Sequence, residues 1–275
     1  MTGKSFGMQL NGPLFKVLGF WISFIVVLFV SGSVLNFGLS GLWHRAVYGV
    51  IGTAAALLLT WLWSNRKWAS LQEYGLLWRK GSGKRLLLGL LIGTALILLM
   101  FMVLLVFTPL HISPKKVQLS TELFLWLFSL IVFAYLEELA FRGMPFVELT
   151  RKYGFLWSQF LVAFVFAIYH VNYGWSLQVA FMGPFVWSFI FGLARQYTNG
   201  IAMPTGIHIA LNAGQIILGL QPGEASLFTL DVSGQITPAI QSRIDVTGMA
   251  LQVAIAIAGI VLTYRYHKRS SIIAA

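Results

Sequence analysis

The chain has 275 residues, 58% of them hydrophobic and only 10% charged, with no cysteine and a formal net charge of +11; its mean hydropathy is +0.80. Soluble domains carry about 25% charged residues, so water is excluded as the solvent for most of this surface. The absence of cysteine excludes disulfides, thiolate metal ligands and a cysteine nucleophile together.

A membrane span needs roughly 20 apolar residues to cross about 30 Å of hydrocarbon. Runs of that kind are predicted at 14–36, 43–64, 86–110, 121–143, 154–172, 176–195, 200–219 and 245–266. They predict an all-α, polytopic membrane helix bundle of eight spans, with residues 1–275 forming a single membrane domain. The first run resembles a signal-peptide core, with Ser31-Gly32-Ser33 as a cleavage-like site. It is longer than an ordinary signal core and more spans follow, so an uncleaved anchor is expected. Gly89 and Gly93 in the third run form a GxxxG, a pattern that permits close helix packing.

The 19 Lys and Arg outnumber the 8 Asp and Glu. In a soluble protein that excess would suggest nucleic acid. Here the basic residues flank apolar runs, where they set topology and meet lipid headgroups, so membrane lipids are the expected partners and nucleic acid is not. On alternate sides of the predicted spans the counts are fourteen, including Arg66, Arg79, Lys84, Arg151, Arg195 and Arg269, against four: Arg45, Lys115, Lys116 and Arg243. The positive-inside rule then places both termini in the cytoplasm of a cell-membrane protein. Trp61, Trp63, Trp68, Tyr74 and Trp78 gather around the basic 65–85 loop as an interfacial aromatic belt. The segment 220–244, with Glu224 and Asp231, is the longest on the other side.

Three spans carry ionisable residues, each costing about 2.5–3.5 kcal/mol or more at mid-membrane and therefore pointing to function. The fourth span contains Glu137, Glu138 and Arg142. Glu138 and Arg142 are four apart and share a helix face, where they can pair and neutralise each other. Glu137 lies about 100° around the helix and needs a partner from another span. The division predicts a structural Glu138–Arg142 pair and a working Glu137; a wholly structural polar network is the alternative. The fifth span contains Phe166 and His170, again four apart, with Phe166 shaping the surroundings of His170. In the seventh, His208 and Asn212 share one face, which implies a polar interior or water pocket.

Peptide hydrolysis needs a base to activate water, a proton donor for the leaving amine, and donors at the developing oxyanion. A buried carboxylate can serve as the base, an imidazole can share its water, and a second His with an Asn amide can donate to the oxyanion. Glu137, His170, His208 and Asn212 supply these roles. Glu137, His170 and His208 also match a catalytic zinc site with an open fourth position, so metal-free and metal-bound water both remain open on residue types alone.

The Glu-Glu-x-x-x-Arg of Glu137, Glu138 and Arg142, the Phe-x-x-x-His of Phe166 and His170, and the His-x-x-x-Asn of His208 and Asn212 resemble, in order, the motifs of the CPBP family. This family, also called ABI, includes the type II CAAX prenyl endopeptidases. The resemblance covers 121–219, the expected catalytic core. It implies an intramembrane endopeptidase acting on a peptide or lipidated protein. Members have been described as metalloproteases, but the resemblance favours a metal-free mechanism: Glu137 and His170 activate water, His208 and Asn212 form the oxyanion hole, and zinc is the alternative. The rival function is a non-catalytic scaffold or bacteriocin-immunity protein using the same polar network structurally. A transporter would show repeat symmetry and interrupted spans, which the sequence lacks. Gly38-Leu39-Ser40-Gly41 spells the Gly-x-Ser-Gly of rhomboid proteases but falls in a short loop, where these are turn residues. His44, His111 and His267 lie at predicted membrane borders, where solvation is expected. At 1.5 Å per residue His170 lies roughly 24 Å from the basic end of its span, which puts the site in the middle or outer half of the membrane.

Overall fold

The computed structural model describes residues 12–273 except 65, 67, 68, 117–119, 222–225 and 233, and the side chains of 270–273 are also left aside. Two long helices, α1 (Pro13–Leu35) and α2 (Gly41–Trp63), are followed by the short α3 (Ala69–Glu73) and by α4 (Ser82–Phe107). A strand β1 (Leu110–Pro114) leads into α5 (Thr121–Arg142), whose first turn is capped by the Ser120 hydroxyl accepting from the Leu123 amide at 3.2 Å. Then come α6 (Met144–Tyr153), α7 (Phe155–Asn172), a four-residue α8 (Leu177–Ala180) running through a π-helical turn at Phe181–Phe185 into α9 (Val186–Thr198), α10 (Ala202–Ile217), β2 (Phe228–Val232) and α11 (Pro238–Ile273).

Among the described residues seven helical segments are long and apolar enough to cross a membrane, and the chain is an integral membrane protein. The seventh predicted span, 200–219, corresponds to α10, which has 16 residues and is the one of the eight outside this set. At 1.5 Å per residue it covers about 24 Å, less than the hydrocarbon thickness. It packs along α4, and glycines make the approach close. A Cβ on Gly89 would collide with the Met203 carbonyl, one on Gly206 with the Leu86 carbonyl, and one on Gly93 would sit 2.6 Å from the Ile207 carbonyl oxygen. The predicted GxxxG is therefore half of a seam completed by Gly206. Gly93→Leu is expected to force α4 and α10 apart and to destabilise the fold by about 1–3 kcal/mol or more. Gly83→Ala, whose new Cβ meets only Trp78 at 3.6 Å, should melt like the parent in detergent; equal melting of both variants would refute the seam.

The two ends of the bundle are tied differently. At one, Arg151 pairs with Glu73 at 2.7 Å and the Tyr74 hydroxyl donates to Glu148 at 2.9 Å. Burial and the neighbouring Glu148 carboxylate push the Tyr74 phenol up, so it stays a donor. Tyr74 is thus buried core, a correction to its place in the aromatic belt, whereas Trp78 is 69% exposed and suits an interface; Trp68 lies outside the described residues. At the other end β1 and β2 pair antiparallel with Ile112 opposite Leu230, so part of the predicted 220–244 loop is an ordered strand. Glu224 lies outside the described residues. Ser40 is exposed and is the N-cap residue of α2, as its turn reading required.

Candidate active site

Helical spacing brings one face of each of several helices to a common cavity of about 1000 Å³. From α5 come Leu130, Phe133 and Glu137, and from α7 Phe166, Tyr169 and His170, with its C-cap residue Tyr173. From α10 come His208, Leu211, Asn212 and Gln215. Each set follows the three- and four-residue steps that align side chains on a helix. The opposite face of α10, with Met203 and Ile207, is the one held against the glycines of α4. The close seam therefore aims His208 and Asn212 at the cavity.

Glu137 stands between the two histidines. Its Oε2 lies 3.5 Å from His208 Nε2 and 4.0 Å from His170 Nε2. The three side chains are only 6–13% exposed. His170 Nδ1 is 2.8 Å from the Phe166 carbonyl oxygen, an acceptor, so Nδ1 carries the proton and Nε2 presents its lone pair toward Glu137. The Phe166 ring meets His170 edge-on at 4.6 Å and Trp175 closes on the imidazole at 4.9 Å. Phe166 thus does what its spacing predicted, and its carbonyl sets the tautomer as well.

Glu138 and Arg142 are fully buried, and Arg142 Nη1 lies 3.4 Å from Glu138 Oε1. The pair predicted from their spacing is present, but it is long. The same Oε1 is 2.9 Å from His208 Nδ1, so Glu138 divides itself between an arginine and a histidine. Arg142 gains further support from the Ser188 hydroxyl at 2.8 Å and from the faces of Phe166 and Phe191, at 4.3 and 5.1 Å from the guanidinium carbon. Phe191 also stacks on His208 at 4.6 Å with planes 16° apart. Arg195, counted among the topology charges, is buried at 2% exposure; it donates to the Arg142 carbonyl and the Tyr74 carbonyl, both at 2.9 Å. Its role is to fasten α9 to the end of α5, a correction to its sequence reading.

Ser188 and Phe191 were not singled out from sequence, and Arg195 was not read as part of the site. Their i, i+3, i+7 spacing places them on one face of the sixth span, which was the available signal, but the span carries no motif of its own. Arg45 and the hydrogen-bonded pair Tyr48–Tyr173, 2.6 Å between hydroxyls, also border the cavity. His44, His111 and His267 do not line it. His111 is exposed on β1, while His44 is half-buried and stacks on Tyr48 at 5.9 Å. Among the described residues no group of three or more His, Asp or Glu is disposed to hold a metal ion. The π-helical turn containing Pro184 interrupts the sixth span beside the cavity. Such turns recur at functional sites, and this interruption was not visible as a sequence break.

Residues 119–214 match the family model of the type II CAAX prenyl endopeptidases, Rce1-like. The match spans α5 to α10 and contains all three motifs, so the family resemblance drawn from them is borne out over this region. It supports a CAAX-protease-like function. No curated protein matches the chain.

Proposed function

With residues 119–214 Rce1-like as the premise, we propose that the protein is an intramembrane endopeptidase that hydrolyses a peptide bond of a membrane-associated substrate. The observation that supports this best is Glu137 Oε2 facing the unprotonated Nε2 of His170 at 4.0 Å across the wall of a large cavity. That gap is too wide for a direct hydrogen bond and suits a bridging water. Such a water donates one hydrogen to each acceptor and turns a lone pair toward the substrate carbonyl. As its oxygen bonds to the carbonyl carbon, Glu137 takes the proton. Glu137 then returns it to the amide nitrogen as the C–N bond breaks, releasing a free amine and a carboxylic acid.

The tetrahedral oxyanion requires donors. Asn212 supplies an amide N–H. With Nδ1–H committed to Glu138, a donor at His208 Nε2 requires the imidazolium form of the ring. Glu138 and Arg142 act as positioning residues for His208. The proposed mechanism uses water activated without a metal; zinc held by Glu137, His170 and His208 is its alternative.

The test uses purified protein in liposomes with a fluorogenic peptide carrying a lipid anchor. Asn212→Ala is expected to lower turnover about 10²–10³-fold with an unchanged melting temperature, the effect of losing one oxyanion donor. Exhaustive chelation should leave wild-type turnover intact. Stoichiometric zinc by elemental analysis, with activity lost on chelation and restored by zinc, would overturn the metal-free proposal and make Glu137, His170 and His208 the ligand set. Absence of cleavage across a panel of anchored peptides, together with a Glu137→Gln variant that preserves the cellular phenotype, would favour the scaffold or immunity reading.

A further inference from the structure

The two ends of the bundle differ sharply in charge. Besides the buried Arg195, eleven described Lys and Arg residues, among them Arg79, Lys84, Arg151 and Arg269, belong to the end that holds Tyr74 and the α6–α7 turn. The end that holds β1 and β2 has four: Arg45, Lys115, Lys116 and Arg243. The helices alternate in direction between these ends, so the asymmetry orients the whole bundle. By the positive-inside rule the richly basic end is cytoplasmic.

The cavity reaches only the other end. Its polar rim is formed by Arg45, Gln178, Gln221 and Asp245, while no described residue of 64–81, of α6 or of the 198–201 turn lines it. His170 agrees with this placement: it is the sixteenth residue of α7 counted from the basic end and two residues from that helix's far terminus. One flank of the cavity is mostly apolar, made by Gly248, Met249 and Leu251 of α11, with Gln252 beside them, and by Met182 and Pro184 of the π-helical turn. Only 11% of the apolar stretch of α11 is buried, so most of this helix faces outward from the bundle.

We infer that the site is entered from the non-cytoplasmic side of the membrane. Its substrate class is then a peptide held in or at the outer leaflet by an apolar anchor, cut where it emerges, and not the lipidated C-terminus of a cytosolic protein. The polar rim meets the emerging peptide and the α11 flank meets the anchor. This inference rests on the endopeptidase reading of Glu137.

The sequence contains no cysteine, so single cysteines can be placed without background. Gln178→Cys, Gln221→Cys and Lys84→Cys, each at an exposed position, are expressed in bacterial spheroplasts and treated with a membrane-impermeant maleimide. The first two are expected to label in sealed spheroplasts, and Lys84→Cys only after detergent opens the membrane. Labelling of Lys84→Cys first, or equal labelling of all three in sealed spheroplasts, overturns the orientation. In a second arm, one peptide sequence is placed on either side of a single-span anchor; cleavage is expected only on the outer side and only with Glu137 intact. Inner-side cleavage overturns the substrate class. Labelling does not require turnover. The expected labelling with no cleavage on either side would therefore sink the endopeptidase reading, and the substrate class with it, independently of orientation.

Discussion

Glu137→Gln is expected to lower peptide hydrolysis by about 10²–10⁴-fold, the range for removal of a general base, while the purified protein melts as the parent does. Glutamine preserves the size of the side chain and a carbonyl oxygen for His208, but it cannot accept the proton of an attacking water. The fold should tolerate the change because Glu137 borders the cavity and is not sealed in the core; its side chain is 12% exposed, against 0% for Glu138. Turnover and melting temperature measured on one sample check both halves of this expectation. Wild-type turnover would remove Glu137 from the reaction. Loss of activity together with loss of the folded state would recast it as a structural residue.

Glu138→Gln should give the opposite pattern, a stability loss of about 3–5 kcal/mol, as for breaking a buried ion pair from one side. The variant leaves the Arg142 guanidinium fully buried with no counter-charge in contact. Ser188 and the rings of Phe166 and Phe191 still surround it, but they supply no negative charge. It also takes charge from the acceptor that holds His208 Nδ1 at 2.9 Å, so residual folded protein should turn over more slowly. Adding Arg142→Met removes the orphaned cation and should restore much of the lost stability without restoring turnover, because replacing both buried partners costs far less than removing one. Denaturation in detergent of the single and double variants reads this directly. A Glu138→Gln protein as stable as the parent, or a double variant no better than the single, would refute the structural assignment of the pair.

Much of this protein was legible before any coordinates. Hydrocarbon has a demanding length scale, and a low share of charged residues leaves few alternatives to a helix bundle. The same solvent makes each intramembrane charge costly, so Glu137, Glu138, Arg142, His170 and His208 stood out against an apolar background. Four-residue spacing, a local property of the helix, was enough to pair Glu138 with Arg142 and to put Phe166 over His170. It was also enough to set His208 and Asn212 on one face. Local spacing cannot say which helices meet. The sharing of Glu138 between Arg142 and His208, the support from Ser188 and Phe191, and the conversion of Arg195 from a topology charge to a buried clasp all depend on α5, α9 and α10 lying side by side. The pairing of β1 with β2 joins segments more than a hundred residues apart, and their sequences carry too little hydrophobic period to announce it. The close packing of α10 on α4 has the same origin. The glycines of α4 and Gly206 allow a backbone-to-backbone seam, and that contact fixes where His208 and Asn212 point.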